Sequence, residues 1–231
     1  DTGAIHARIR EFIDQRSPSQ IVTLNSLMYN CALEDGELAA AVSRAALVIP
    51  DSAGIVWAAK YIANQRVKRL PGIDLIQYLC RLAVESRNRI FLLGSQPGVA
   101  ETAARKLEKQ HPGLQIAGTH HGYFSEDEKE LIETIKNAHP DILLVALAMP
   151  HQDKWIASHL RELNVPVVIG VGGSFDVIAG RLRRAPLWMQ RCDIEWLFRL
   201  IQQPSRIFRM ADLPIFLWNM VKLKRKAGGK R

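Results

Sequence analysis

Asp51 stands directly after the apolar run Ala46 to Ile49 and a proline. A carboxylate at the mouth of a buried strand is held partly out of water. That raises its proton affinity and fits it to take a proton from a hydroxyl as a general base. The same position suits an N-cap for a helix beginning at Ala53, and position alone leaves both readings open. Arg199, Arg206 and Arg209 are spaced by seven and three residues, with Pro204 between the first two. They can all face one way, or they can form a solvated helix face. In Gly170 to Asp176, glycines at 170, 172 and 173 let backbone N–H groups approach a phosphate. Their spacing is not that of the dinucleotide fingerprint, so a nicotinamide-dependent oxidoreductase fits the chain poorly. His120-His121 invites a metal reading. Adjacent residues on an extended segment point to opposite faces, and no HExxH occurs, so no metal site is expected.

The elements that must position these groups follow from hydrophobic periodicity. Ile5, Ile9, Phe12 and Ile13 predict a first helix, and further helices are predicted at Glu37 to Arg44, Ala53 to Ala63 and Asp74 to Glu85. Short apolar strands are predicted at Gln20 to Leu24, Ala46 to Ile49, Ile90 to Leu93, Leu114 to Ala117, Ile142 to Ala146 and Val165 to Val171. From Ile90 onward they alternate with helices at Val99 to Gln110, Ser125 to Asn137 (Ser125 and Glu128 forming a capping box) and Lys154 to Leu163. Alternation of this kind predicts parallel βαβ units, and uninterrupted apolar strands predict burial on both faces. The expected fold is α/β, a three-layer sandwich with a mainly parallel sheet and helices on both sides, followed by a helical C-terminal appendage. In such a sheet ligands bind beyond the carboxyl ends of the strands. That rule gathers Thr23, Asn25, Asp51, Gly94 to Gly98, His120 to Tyr123, Pro150 to Gln152 and Gly170 to Asp176 on one edge.

The appendage differs in composition from the body. Residues 1–180 carry a net charge of −2 and residues 181–231 a net charge of +10. Trp188, Trp196 and Trp218 also lie in the basic part, which is expected to be helical at Ile194 to Gln202, Arg206 to Ala211 and Pro214 to Lys226. Basic and aromatic residues together suit a membrane interface or a nucleic acid. The apolar run Leu213 to Trp218, followed by Lys222, Lys224, Arg225 and Lys226, favours an anionic membrane surface over nucleic acid. The longest uninterrupted apolar run, Ile142 to Met149, has eight residues, against the roughly 20 that a spanning helix needs. Cys31, Cys80 and Cys192 are far apart, form no CxxC, and are expected to be reduced thiols.

Taken in order, the motifs are Thr23-x-Asn25, Pro50-Asp51-x-x-Gly54, Arg69-x-x-Gly72, Gly118-x-x-x-Gly122-Tyr123-Phe124 and Pro150-x-Gln152. After them come Val171-Gly172-Gly173-x-Phe175-Asp176, Arg184-Ala185-Pro186, Glu195-Trp196-Leu197-x-Arg199-Leu200 and Pro204-x-Arg206-x-x-Arg209. This series resembles the WecG/TagA/CpsF glycosyltransferases, from about Thr23 to Arg209. The resemblance implies an inverting, metal-independent transferase with a Rossmann-like core and no cofactor. Its donor would be a UDP-sugar and its acceptor a lipid-linked saccharide. In the best-matched branch N-acetylmannosamine passes from UDP to N-acetylglucosaminyl-diphospho-undecaprenol, which primes wall teichoic acid linkage. Other branches use UDP-N-acetylmannosaminuronate or UDP-glucose.

The resemblance also implies roles. Asp51 would be the base. Thr23, Asn25 and Gln152 would position sugars, and Arg69 would lie near the substrate phosphates. Tyr123 and Asp176 would sit on the uridine side beside Gly172 and Gly173. Arg199, Arg206 and Arg209, on an appendage folded over the pocket, would neutralise departing UDP. The implied division is a core over residues 1–190 and a membrane-contacting appendage over 191–231, at the cytoplasmic face of the membrane. The chain departs from the family pattern at Ser52, His151, Asp153 and Met149, where Gly, Lys, Glu and Gly are usual. A non-catalytic binding module for nucleic acid or anionic lipid would explain the charged tail. It would leave the polar residues at the strand ends unexplained.

Overall fold

The structure is a computed structural model and describes residues 2–124, 128–204 and 212–228. Helix α1 (Thr2–Asp14) leads into β1 (Ser19–Leu24), then α2 (Ser26–Glu34), α3 (Gly36–Arg44), β2 (Leu47–Pro50), α4 (Ala53–Ala63) and α5 (Gly72–Ser86). Next come β3 (Arg89–Gly94), α6 (Val99–Gln110), β4 (Gln115–His120), α7 (Glu128–Asn137), β5 (Ile142–Ala146), α8 (His151–Leu163) and β6 (Val167–Gly170). The short helices α9 (Ser174–Ile178) and α10 (Leu187–Arg191) precede α11 (Glu195–Gln202) and α12 (Asp212–Gly228). The capping box at Ser125 and the helix expected at Arg206 to Ala211 lie outside the described residues.

The six strands form one sheet in the order β2-β1-β6-β5-β3-β4, every neighbour parallel. The apolar strands are buried on both faces because alternate residues point to opposite sides. Ile90, Leu92, Ile142, Leu144, Val167 and Ile169 pack against α1, α5, α6 and α9 through Phe12, Leu79, Leu107 and Phe175. Phe91, Leu93, Leu143, Val145 and Val168 pack on the other side against α7 and α8, where Ile135, Trp155 and Ile156 meet them. Val22 of β1 packs with Met28 of α2 and Leu38 of α3. This is the expected three-layer α/β arrangement.

Two features differ from expectation. Residues 26–34, for which no element is expected, form α2, whose buried side chains are Ser26, Met28 and Asn30. Two of those three are polar, so no apolar stripe marks the helix. The rings of His120 and His121 also do not diverge. His120 ends β4, its Nδ1 lies 2.8 Å from the His121 carbonyl, and the ring centroids are 4.5 Å apart. The chain leaves the strand at that residue, so strand alternation no longer applies. Even so, no group of three or more His, Cys, Asp or Glu among the described residues is placed to hold a metal ion.

The last helix docks through a small apolar contact of its own. Phe216 and Met220 of α12 are buried with Ala58 of α4, and Tyr29 of α2 meets the Phe216 ring edge-on at 5.6 Å. Asn30 donates to the Asp212 carbonyl at 2.7 Å, and Asn219 donates to the Asn30 side chain at 3.3 Å. Among the described residues, no helix is long and apolar enough to cross a membrane.

Candidate active site

The carboxyl ends of the strands open into one cavity of about 1300 Å³. Thr23, Asn25, Asp51, Tyr123, Gln152, Gly172, Gly173, Asp176 and Arg199 all line it. Residues from six separate chain segments therefore converge, five of them because parallel strands deliver their carboxyl ends to the same edge.

Asp51 is fixed by backbone on both sides. Its N–H continues the β1–β2 pairing by donating to the Leu24 carbonyl at 2.9 Å, and the carbonyl of Pro50 accepts from Leu70 at 2.9 Å. The cap of α4 is Ser52, whose hydroxyl accepts from Ile55 N–H at 3.4 Å and sits 3.2 Å from the Ser26 hydroxyl. That removes the capping role from Asp51 and leaves its carboxylate to the cavity. One oxygen, Oδ1, accepts from Gly72 N–H at 2.8 Å. Burial pushes the Asp51 carboxyl above the usual carboxylate range, against the opposing pull of Gly72 N–H, Arg199 and Arg69.

The sugar-positioning residues implied by the resemblance work through the backbone. Thr23 donates its hydroxyl to the Gly170 carbonyl at 2.8 Å and so ties β1 to β6 at the cavity floor. Asn25 caps α2 by accepting from Met28 N–H at 2.9 Å. Gln152 accepts from Gly172 N–H at 2.9 Å and donates to Asp153 Oδ2 at 3.2 Å. A Cβ on Gly170 would overlap the Gln152 amide, and Gly172 has φ of +49°, so both glycines are required for this turn. Asp153 is wholly buried, and burial pushes its carboxyl up to about 6.

On the opposite wall Asp176 accepts from Ser95 Oγ at 3.4 Å, and Gly122 N–H donates to the Ser95 carbonyl at 2.8 Å. Tyr123 is 66% exposed at this rim, free to cover a planar ligand. Arg181 lines the same wall and donates to Gln96 at 2.7 Å. Sequence reading missed Ser95, Gln96 and Arg181 as individual site residues. Only the position of Gly94 to Gly98 after a strand signalled the first two. A third wall comes from α2 and α12, where Asn30, Leu33, Ile215 and Asn219 line the cavity. No local sequence signal joins them, because their contact is tertiary.

Arg69, for which the resemblance implies a place near the substrate phosphates, lies close enough to Asp51 for its charge to act on that carboxyl. It is absent from the cavity lining, and its guanidinium pairs with Asp193 at 2.9 Å and with Glu195. Arg206 and Arg209 lie outside the described residues.

A sequence model of the glycosyl transferase WecG/TagA/CpsF family matches residues 2–230. The chain belongs to the WecG/TagA/CpsF glycosyltransferase family. Among its relatives is the N-acetylglucosaminyldiphosphoundecaprenol N-acetyl-beta-D-mannosaminyltransferase of Bacillus subtilis (strain 168). That protein is 34% identical over 213 residues, covering 92% of this chain and 83% of the relative. A protein of the same name in Staphylococcus aureus (strain MW2) is 32% identical over 220 residues, covering 94% and 86%.

Proposed function

We propose that this glycosyltransferase moves N-acetylmannosamine from UDP to N-acetylglucosaminyl-diphospho-undecaprenol, with inversion at the anomeric carbon and without a metal ion. The observation that carries the reading is Asp51 in the cavity, its carboxyl raised by burial, with Arg199 lining the same space. In the reaction Asp51 accepts the proton of the acceptor hydroxyl as that oxygen bonds to the anomeric carbon. The bond from the anomeric carbon to the UDP oxygen breaks, and UDP departs with the electron pair. A single displacement of this kind inverts the centre and requires a base on the side of the attacking oxygen. Charge gathers on the leaving diphosphate, and a guanidinium placed there stabilises it. Arg199 supplies that charge, with Arg206 and Arg209 as its companions in the sequence.

The donor nucleotide belongs on the wall formed by Ser95, Tyr123, Asp176 and Arg181, next to the Gly172-Gly173 turn. The acceptor belongs on the wall formed by α2 and α12, where exposed Leu33 and Ile215 give an isoprenoid chain an apolar way out. A chain leaving there meets the exposed side chains Leu217 and Trp218 and the basic residues Lys222, Lys224, Arg225 and Lys226. Residues 191–231 thus form the appendage that closes the pocket of the 1–190 core and rests on an anionic membrane surface. We assign the enzyme to the cytoplasmic face of the membrane, as a peripheral protein.

The test is a donor screen with purified protein and a lipid-linked N-acetylglucosamine acceptor analogue, following UDP release. UDP-N-acetylmannosamine is expected to turn over fastest, in the presence of a chelator. Faster release from UDP-N-acetylmannosaminuronate or UDP-glucose would reassign the donor, and acceptor-independent release would defeat the transfer reading.

A further inference from the structure

Helix α11 sits on the core in an unusual way. It has no buried side chain at all, and its apolar residues Trp196, Leu197 and Ile201 are 44%, 37% and 67% exposed. Its partly buried side chains are Ile194 at its N-cap, Glu195, Phe198, Leu200 and Gln202, while Arg199 is exposed. Glu195, Arg199 and Gln202 fall four and three residues apart, which puts them on one stripe of the helix. At one end of the stripe Glu195 pairs with Arg69, and its other carboxylate oxygen is 4.0 Å from Arg184 Nε. Its side chain is only 13% exposed. Arg184 is itself held by Asp74 of α5 at 2.7 Å. At the other end the Gln202 amide is used twice on one backbone residue, accepting from Arg183 N–H at 2.8 Å and donating to the Arg183 carbonyl at 2.9 Å. Arg199 lies between these two anchors and lines the cavity.

We propose that Glu195 and Gln202 are positioning residues, bracing α11 at both ends so that Arg199 is held at the departing diphosphate. The inference rests on the assignment of Arg199 to that charge. It gives the motif residue Arg69 a part as the partner of Glu195. The Arg69 guanidinium holds Glu195, which sets the axial register of α11. Phe198 and Leu200 are only partly buried and no side chain of this helix is fully buried, so the contacts of Glu195 and Gln202 add what fixes its rotation and slide. Surface ion pairs are weak, but Glu195 and Arg69 are both largely shielded, and loss of one member of a shielded pair leaves the other charge without its partner.

UDP affinity, measured by calorimetry on the full chain, tests this without needing turnover. Arg199→Ala is expected to weaken UDP by about tenfold. Glu195→Gln is expected to weaken it similarly, and the double variant to weaken it no further than Arg199→Ala alone, because the two act through one contact. Gln202→Leu gives the same pattern from the opposite anchor. Glu195→Asp, which keeps the charge, recovers part of the loss, a recovery that global misfolding would not give. Unchanged affinity in Arg199→Ala would sink the assignment of Arg199, and the brace with it. Loss in Arg199→Ala with full affinity in Glu195→Gln and Gln202→Leu would overturn the brace alone. Additive losses in the double variant would also overturn it, since Glu195 would then act elsewhere.

Discussion

Asp51 concentrates the chemistry at the scale of single residues. Its place after a strand and a proline was legible in the sequence, but its job was not, because a carboxylate at a strand end serves equally as base or cap. Ser52 decides between them: the cap hydroxyl belongs to the next residue, and Asp51 is left in the cavity with Gly72 N–H on one oxygen. Asp51→Asn keeps an acceptor for that N–H and should fold normally. It is expected to lower kcat by about 10³-fold while UDP binding by calorimetry stays within about twofold. The carboxyl must be ionised to accept a proton, and burial raises its pKa. Activity is therefore lost as pH falls, and kcat/KM should bend down at a pH above the ordinary aspartate value of about 3.9. A pH profile with its acid limb at or below that value would count against burial as the controlling influence. Arg69 teaches the opposite lesson. Its residue type fits a phosphate ligand, yet Asp193 and Glu195 claim its guanidinium, and no spacing rule could link it to residues over a hundred positions away.

At the scale of elements, the helices with a clear apolar stripe were legible and the others were not. The expected bounds Val99 to Gln110 match α6, which buries Val99, Ala100, Ala103, Ala104 and Leu107 along one face. Helix α2 buries Ser26 and Asn30 beside Met28 and so shows no such stripe. Helices α9 and α10 have five residues each, too few for a period to emerge. Helix α12 was legible, but its docking was not. Phe216 and Met220 pack against Ala58, and few other apolar side chains hold the helix to the body. Replacing a buried phenylalanine by alanine costs about 3–5 kcal/mol, more than this small contact can lose. Phe216→Ala is therefore expected to free α12 while the sheet stays folded. Limited trypsin digestion should cut the C-terminal segment much faster than in the unsubstituted chain, with the core fragment and its melting temperature unchanged. Global loss of the core melting transition would show that α12 is integral to the sheet's stability.

Over the whole molecule, charge is segregated. The net charge of −2 over residues 1–180 against +10 over residues 181–231 gives the enzyme one strongly attractive end for an anionic surface. Each Lys or Arg near such a surface contributes about 1 kcal/mol. Changing Lys222, Lys224, Arg225 and Lys226 together to Gln should weaken co-sedimentation with vesicles containing phosphatidylglycerol by at least about tenfold. Binding of the unsubstituted chain should fall with added salt and be small on purely zwitterionic vesicles. Equal binding to both vesicle types would point to apolar insertion of Trp218 and its neighbours as the dominant force.

The amino-acid sequence by itself determined the fold class, the strand ends at which a site must form, and the family. Each rests on local information: uninterrupted apolar runs, helical spacing and ordered short motifs. Tertiary structure alone decided the strand order β2-β1-β6-β5-β3-β4, the release of Asp51 from capping, and the engagement of Arg69 by the appendage. It also brought α12 against α2 to complete the cavity wall. Those outcomes depend on contacts between residues remote in the chain. Such contacts are selected by which surfaces bury or pair best once the elements have formed, and periodicity along the sequence carries no record of that choice.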